Sequence, residues 1–347
     1  MGKLKKIRRY VVFRAHELVV SLKEFRKGSK LNKKIYHVFN DSSMLISAHS
    51  VEKGLGLWNV EPGHSGKVVD LLLNKLMVMK KDSVCINEFP FKETLRVIIS
   101  YMDYQEQFDT GKFKMYKQLK NKYNRLSEML GNEYIDNLRY ELNAGVMMIS
   151  RDRLLEGKKF DFENFIKSRH SIRSFENTPL SYSDIRKAVE IANHAPSACN
   201  RQPSYVYFCN KIDKVRKIDE MITGNSGFKG EVPNYIAVTT DRAFFSYVEQ
   251  YQWYINGGLY LAYLSCALHS LGIGHCIMQW KAFNETEKAL KKLLGISDTE
   301  AVIAIVGCGY YRDETLCLMA QRKEIEDTLK IIDEEIVEKT VEKTDRC

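Results

Sequence analysis

Ser168-Arg169-His170-Ser171-Ile172-Arg173-Ser174-Phe175 and, one helix-length later, Ala195-Pro196-Ser197-Ala198-Cys199-Asn200-Arg201-Gln202-Pro203 are the two stretches on which the fold assignment turns. The first crowds two guanidiniums, an imidazole and several hydroxyls just ahead of a helical region. Arg offers a planar fork of donors to phosphate oxygens and Ser a short neutral donor, so a phosphate monoester would suit it. An ordinary exposed basic turn carries the same residues. The second stretch lies between an amphipathic segment and a strand-like run and is rich in small residues and side-chain amides. Small residues let backbone approach a flat ring, and Asn200 and Gln202 can bond the ring's polar edge. A plain helix-to-strand loop is the alternative reading.

Downstream, short strand-like runs at Tyr205 to Cys209, Tyr235 to Thr240, Gly274 to Gln279 and Val302 to Gly307 alternate with helical segments. The helical segments are Tyr182 to Asn193, Gln252 to Leu271 and Asn284 to Leu294. This alternation predicts a sheet covered by helices.

The order and spacing of the two quoted stretches resemble the start of the nitroreductase family of flavoproteins. That family opens with Arg-(Arg or His)-Ser-hydrophobic-Arg, followed about a helix later by Ala-Pro-Ser-x-x-Asn-x-Gln-Pro. The resemblance continues through about half of the chain. Gly257 to Gln279 resembles the family's long central helix and following strand, Ala301 to Gly309 its last core strand, and Gln321-Arg322-Lys323-Glu324-Ile325 its terminal segment. Two positions depart from the pattern: Glu324 stands where Pro is usual, and Ser204 where an aromatic is usual. The resemblance implies an α+β, nitroreductase-like FMN-binding fold, a central mixed sheet flanked by helices, with a mostly helical N-terminal region. It implies FMN as cofactor, NADH or NADPH as electron donor, and a homodimer with flavin at the subunit interface. Arg169, His170, Ser171, Arg173 and Arg322 would hold the phosphate and pyrimidine side. Pro196, Ser197, Ala198 and Asn200 would meet the flavin from the opposite subunit, Gln202 would be a further cofactor-binding residue, and the backbone of Met278, Gln279 and Trp280 would face the flavin ring. The segment after Arg312 would wrap the partner. No side chain is required as a catalytic group, and no Gly-x-Gly-x-x-Gly fingerprint is present.

The rest of the chain bounds the assignment. The net charge is +9, yet residues 1–34 hold twelve Lys or Arg against Glu17 and Glu24, so the basic excess belongs to that end. There, Val11, Ala15, Leu18, Val19, Leu22 and Phe25 recur at helical spacing, giving a basic amphipathic helix. It suits packing on its own domain or a peripheral contact with an anionic membrane. Without a stacking pattern or reader motif, nucleic acid is not an expected partner. Residues 35–155 read as a mostly helical region, with segments at Gly66 to Met79, Glu93 to Tyr104 and Met115 to Leu130. The run His49-Ser50-Val51-Glu52-Lys53-Gly54-Leu55 resembles extended family members encoded with exopolysaccharide or capsule assembly enzymes, which would imply a sugar- or lipid-linked substrate. Gly63 to Lys67 is too short for a phosphate loop. The polar stretch Arg151 to Lys159 is the expected boundary to a flavin-binding domain over 160–335, with a tail at 336–347.

Eight scattered cysteines lack metal-ligand spacing, so no metal site and reduced thiols are expected. No run approaches the roughly 18 apolar residues of a membrane span, and the start lacks a secretory pattern, so a cytoplasmic location is expected. The expected function is an FMN-dependent oxidoreductase acting on an unidentified small-molecule acceptor in polysaccharide biosynthesis. The alternatives are a non-catalytic flavin-binding or scaffold protein of a biosynthetic assembly, and a flavin-dependent dehalogenase with a lid at Arg242 to Gln252.

Overall fold

Short, largely buried strand runs between amphipathic helices in the second half of the chain, and helices alone in the first, give two kinds of layer. The computed structural model describes residues 36–55, 61–80, 86, 88–108, 111, 113–140, 160–225, 228–246, 249, 251–280, 284–315, 317 and 322–331. The chain divides into two compact units, Met1–Thr315 and Leu316–Cys347. The basic segment 1–34, the boundary stretch 151–159 and the tail 336–347 lie outside the described residues.

In the first unit, helices α1 (Tyr36–Leu55), α2 (Gly66–Met79), α3 (Phe89–Gln105), α4 (Tyr116–Leu130) and α5 (Asn132–Tyr140) come first. Met44, Val51, Leu73, Leu76, Phe91, Ile98, Leu119 and Leu126 close on one apolar core. Each such side chain contributes roughly 1.5–3 kcal/mol by leaving water. Pro90 sits in the first turn of α3, where its missing N–H costs no helix bond. Gly131, at φ 92, turns the chain from α4 into α5. The Gly63–Lys67 stretch is a turn rather than a phosphate cradle: the Gly63 N–H donates to Gln105 Oε1 at 2.8 Å. His49 pairs with Glu52 at 3.3 Å.

The following elements are α6 (Phe162–Ser168), α7 (Tyr182–Ala192), β1 (Ser204–Cys209), α8 (Ile212–Met221), β2 (Asn234–Asp241), α9 (Gln252–Ser270), β3 (Ile273–Gln279), α10 (Asn284–Leu294) and β4 (Glu300–Tyr310). Side chains start two of the helices: Asp161 accepts from Asn164 N–H in α6, and Ser181 from Asp184 N–H in α7. The sheet order is β1-β2-β4-β3. All three strand pairings are antiparallel, and the parallel component is an isolated bridge between Ser171 and His275. Helices α7 and α9 cover one sheet face, with Ala188, Ala192, Leu264 and Leu268 against Ile236, Val238 and Val306. Helix α1 docks on the same unit's sheet half: Ser42 Oγ donates to Phe244 O at 2.6 Å, and Leu45 packs with Phe244 and Phe245. The second unit carries α11 (Ile325–Thr328).

Helix α9 reaches the sheet at Gly257, where a Cβ would come within 2.5 Å of Ile303 Cγ1 and 2.6 Å of Thr240 Oγ1. Overpacking of this kind typically costs about 1–3 kcal/mol. Gly257→Ala should therefore lower the thermal midpoint by several degrees, and an unchanged melt would show that α9 does not approach the sheet this closely.

Candidate active site

The stretch from Arg169 to Arg173 leaves α6 as extended backbone and is pinned to the open edge of β3. Ile172 N–H donates to His275 O at 3.0 Å, and the absence of a side chain at Gly274 leaves room for Ile172, whose Cγ2 would lie 3.1 Å from an added Cβ. Farther on, Glu176 N–H donates to Tyr310 O and Arg312 Nε to Phe175 O. Ile172 and Phe175 are thereby buried, while Arg169, Ser171 and Arg173 are half-buried and His170 is exposed. Arg173 donates to Ser171 O at 3.3 Å. Among the described residues neither Arg169 nor Arg173 pairs with a carboxylate.

Their charge is felt by the neighbouring rings. Burial, followed by the nearby Arg169 and His170, lowers the His269 pKa. Burial, with Arg169 adding to it, brings His275 down to about 4. His275 Nδ1 lies 3.2 Å from Ile273 O and its Nε2 lies 2.7 Å from Ser265 Oγ. That pattern fits a neutral ring that donates through Nδ1 and accepts through Nε2.

The second stretch leads into β1, at the opposite edge of the sheet. Cys199, Asn200 and Gln202 all have φ near +50°, and three non-glycine residues there carry strain that other bonds must offset. Asn256 Oδ1 accepts from Ala198 N–H at 2.8 Å, and Ser197 Oγ from Gln202 N–H at 3.1 Å. Arg201, only 1% exposed, donates to Phe244 O and Ala198 O, pairs with Glu249 through two nitrogens and lies over the Phe245 ring at 4.5 Å. With Arg201 held inward, Pro196, Asn200 and Gln202 are exposed and Ser197 and Ala198 half-buried. On β3, Met278 is buried and Trp280 half-buried, its Nε1 without a partner among the described residues. The Gln279 side chain lies outside the description. Arg322 belongs to the second unit.

One chain thus brings Arg169, Ser171 and Arg173 to the β3 edge and sets Pro196 to Gln202 at the β1 edge. Four strand spacings, roughly 19 Å, separate them across the sheet, and the register sets them at opposite ends of the strands as well. A cavity of about 460 Å³ opens beside the second stretch, lined by Pro196, Ser197, Gln202 and Ser204 and, from the helical region, by Asp41 and Glu88 to Pro90. Sequence reasoning named neither Arg201 as an anchor nor the acidic and aromatic residues of this cavity. Arg201 sits inside the quoted motif, but its partner Glu249 is distant in sequence and carries no local signal. The stretch expected to form a lid begins with Arg242 to Phe245 buried, while residues 247, 248 and 250 lie outside the described residues.

The nitroreductase family model matches residues 166–255. The chain is 31% identical over 152 residues to a protein of Archaeoglobus fulgidus provisionally named an NADH dehydrogenase/NAD(P)H nitroreductase, spanning 43% of this chain and 84% of the relative. Among solved structures, it is similar to an FMN-dependent nitroreductase from Clostridium difficile, at 19% identity and TM-score 0.42, over 49% of this chain and 98% of that one. A nitroreductase family protein from Streptococcus pneumoniae gives 24% identity and TM-score 0.42, over 50% and 100%.

The depressed pKa of His275 makes stability pH-dependent. The unfolded ring takes its proton near pH 6.5 and the folded ring near pH 4, so acid favours the unfolded chain across that window. The cost grows as pH falls from about 6.5 to about 4 and reaches on the order of 3 kcal/mol. Urea denaturation of His275→Gln should show a shallower loss of stability between pH 7 and pH 4.5 than the native chain shows. Equal acid sensitivity would remove His275 from this role.

Proposed function

This chain belongs to the nitroreductase family, and from that premise we propose that it binds FMN, accepts electrons from NADH or NADPH and passes them to a second small molecule. The observation that carries the proposal is the pair Arg169 and Arg173, half-buried at the β3 edge without a carboxylate among the described residues. A cation drawn partly out of water is costly unless an anion meets it, and a phosphate monoester supplies charge and acceptor atoms together. Ser171 and His170 add donors on the same stretch. The name of the archaeal relative supports a nicotinamide donor.

Pro196, Ser197, Ala198, Asn200 and Gln202 are assigned to a flavin held by a second copy of the chain, with the backbone of Met278 to Trp280 facing the ring of the flavin bound by their own chain. Two features support this homodimer. The two binding stretches lie at opposite sheet edges, so one chain does not close a site by itself. Helix α9, apolar on all sides, turns Tyr254, Ile255, Leu259 and Tyr263 to the surface, and a helix of that composition is expected to be buried. Bound FMN supplies hydride or single electrons from its own ring, so the protein's tasks are to bind it, orient it and position the substrate.

Arg169→Ala should weaken FMN binding at least tenfold, as loss of a charged hydrogen bond worth about 1.5–3 kcal/mol requires, and lower NAD(P)H oxidation in parallel. Flavin absorbance and light scattering on the purified chain check both parts. A flavin-replete monomer would overturn the interface, and protein that stays colourless with added FMN would favour a scaffold role instead.

A further inference from the structure

We infer that the cavity between the N-terminal helices and the β1-edge loop is the acceptor site, and that the N-terminal region tunes it for uncharged or cationic ring-bearing molecules and against anions. Its volume, about 460 Å³, falls in the range of small-molecule sites. Flat apolar surfaces face into it from both halves of the chain: Phe89 and Pro90 at the start of α3, Pro196 and Pro203 from the loop. Such walls suit a planar ring. Ser204 occupies the position at which the family usually has an aromatic, which leaves that wall open, and Phe89 brings an aromatic in from a segment outside the family match.

The charge of the cavity comes from the helical region. Asp41 and Glu88 both line it, and the Glu88 carboxylate makes no hydrogen bond or ion pair among the described residues. The one cationic side chain in the lining, Arg201, is buried and already paired with Glu249. Tyr205 registers the field: burial, followed by Asp241, Glu300, Asp41 and Glu88, raises its hydroxyl to about 12. An anion entering here meets the Glu88 carboxylate and no free cation in the lining, Asp41 being felt by the Lys75 ammonium behind it, whereas a cation or a hydroxyl-bearing ring finds an acceptor in Glu88. The cavity shares Pro196, Ser197 and Gln202 with the loop assigned to the flavin, so this inference rests on the redox reading for its role but not for its chemistry.

The test uses full-length protein as purified, with three acceptors of one shape and different charge: 4-nitrobenzoate, 4-nitrobenzyl alcohol and (4-nitrobenzyl)trimethylammonium. With NADH or NADPH as donor, kcat/KM for the anion should fall at least tenfold below that for the alcohol. Glu88→Lys should raise the anion's kcat/KM at least fivefold through KM and lower the cation's. The ratio of variant to native enzyme cancels differences in reduction potential among the three. Phe89→Ala should raise KM for all of them. A charge-blind series overturns the inference. So does a Glu88→Lys enzyme whose FMN affinity shifts while its acceptor KM does not, because the cavity would then hold the flavin. If the protein takes up no FMN, the redox reading fails, and calorimetric titration of the same three compounds still decides the cavity. Tighter binding of the cation and alcohol than of the anion, weakened for the cation by Glu88→Lys, sustains it; equal binding or none overturns it.

Discussion

A four-stranded sheet has two edges, and this chain sets the Arg169 to Arg173 stretch along one of them and the Pro196 to Gln202 stretch beside the strand that forms the other. The backbone bond from Ile172 to His275 fixes the cationic stretch to β3, and the direct run from Gln202 through Pro203 into β1 fixes the amide-rich stretch at the far side. Between them lie β2 and β4, whose residues Ile236, Val238 and Val306 are buried in one core under α7 and α9. The sheet cannot bend to bring the edges together without opening that core, so the separation belongs to the fold itself. On the homodimer reading proposed above, the exposed apolar side chains of α9 are the surface on which a second copy would complete the arrangement.

The β1-edge loop shows how a strained shape is held. Cys199, Asn200 and Gln202 adopt left-handed backbone with side chains that disfavour it. Four groups offset this strain from separate directions: Asn256, Ser197, Glu249 and the Phe244 carbonyl. Arg201 is the hub because its guanidinium has enough donors to bond a carboxylate and two carbonyls together. Burying it would be costly alone, but with Glu249 beside it and an aromatic ring beneath, its charge is compensated where it lies. The outcome is an exposed row of small and amide residues on a rigid base.

What could be read from the amino acids follows from which signals are local. The strand runs and the helices at 182, 252 and 284 are marked by hydrophobic period and match the structure to within a few residues. Helix α8 does carry a helical stripe, Ile212, Val215 and Ile218 amid charges, but over only ten residues, and it is absent from the segments read from sequence. Helix α1 gave no clear stripe, because its apolar side serves both the helical core and the Phe244 junction. The Arg169 and Ala195 stretches were visible because each is contiguous. Strand order was not, nor was the pairing of Arg201 with Glu249, because neither leaves a pattern within any window of sequence.

The same reasoning explains why the helical N-terminal region looked featureless for chemistry. Asp41 lies in the second turn of α1 and Glu88 just before α3, so neither belongs to a motif, and each gains its meaning only where α1 docks through Ser42 and Leu45. A region whose contribution is a wall rather than a reactive group need not carry a catalytic signature. Its sequence must instead provide a helix face that fits Phe244 and Phe245, and a rim with the right charge. Helix α1 meets the first requirement through Leu45, and the two carboxylates meet the second. A helical bundle with no chemistry of its own can then select what reaches a site built by the other half of the chain.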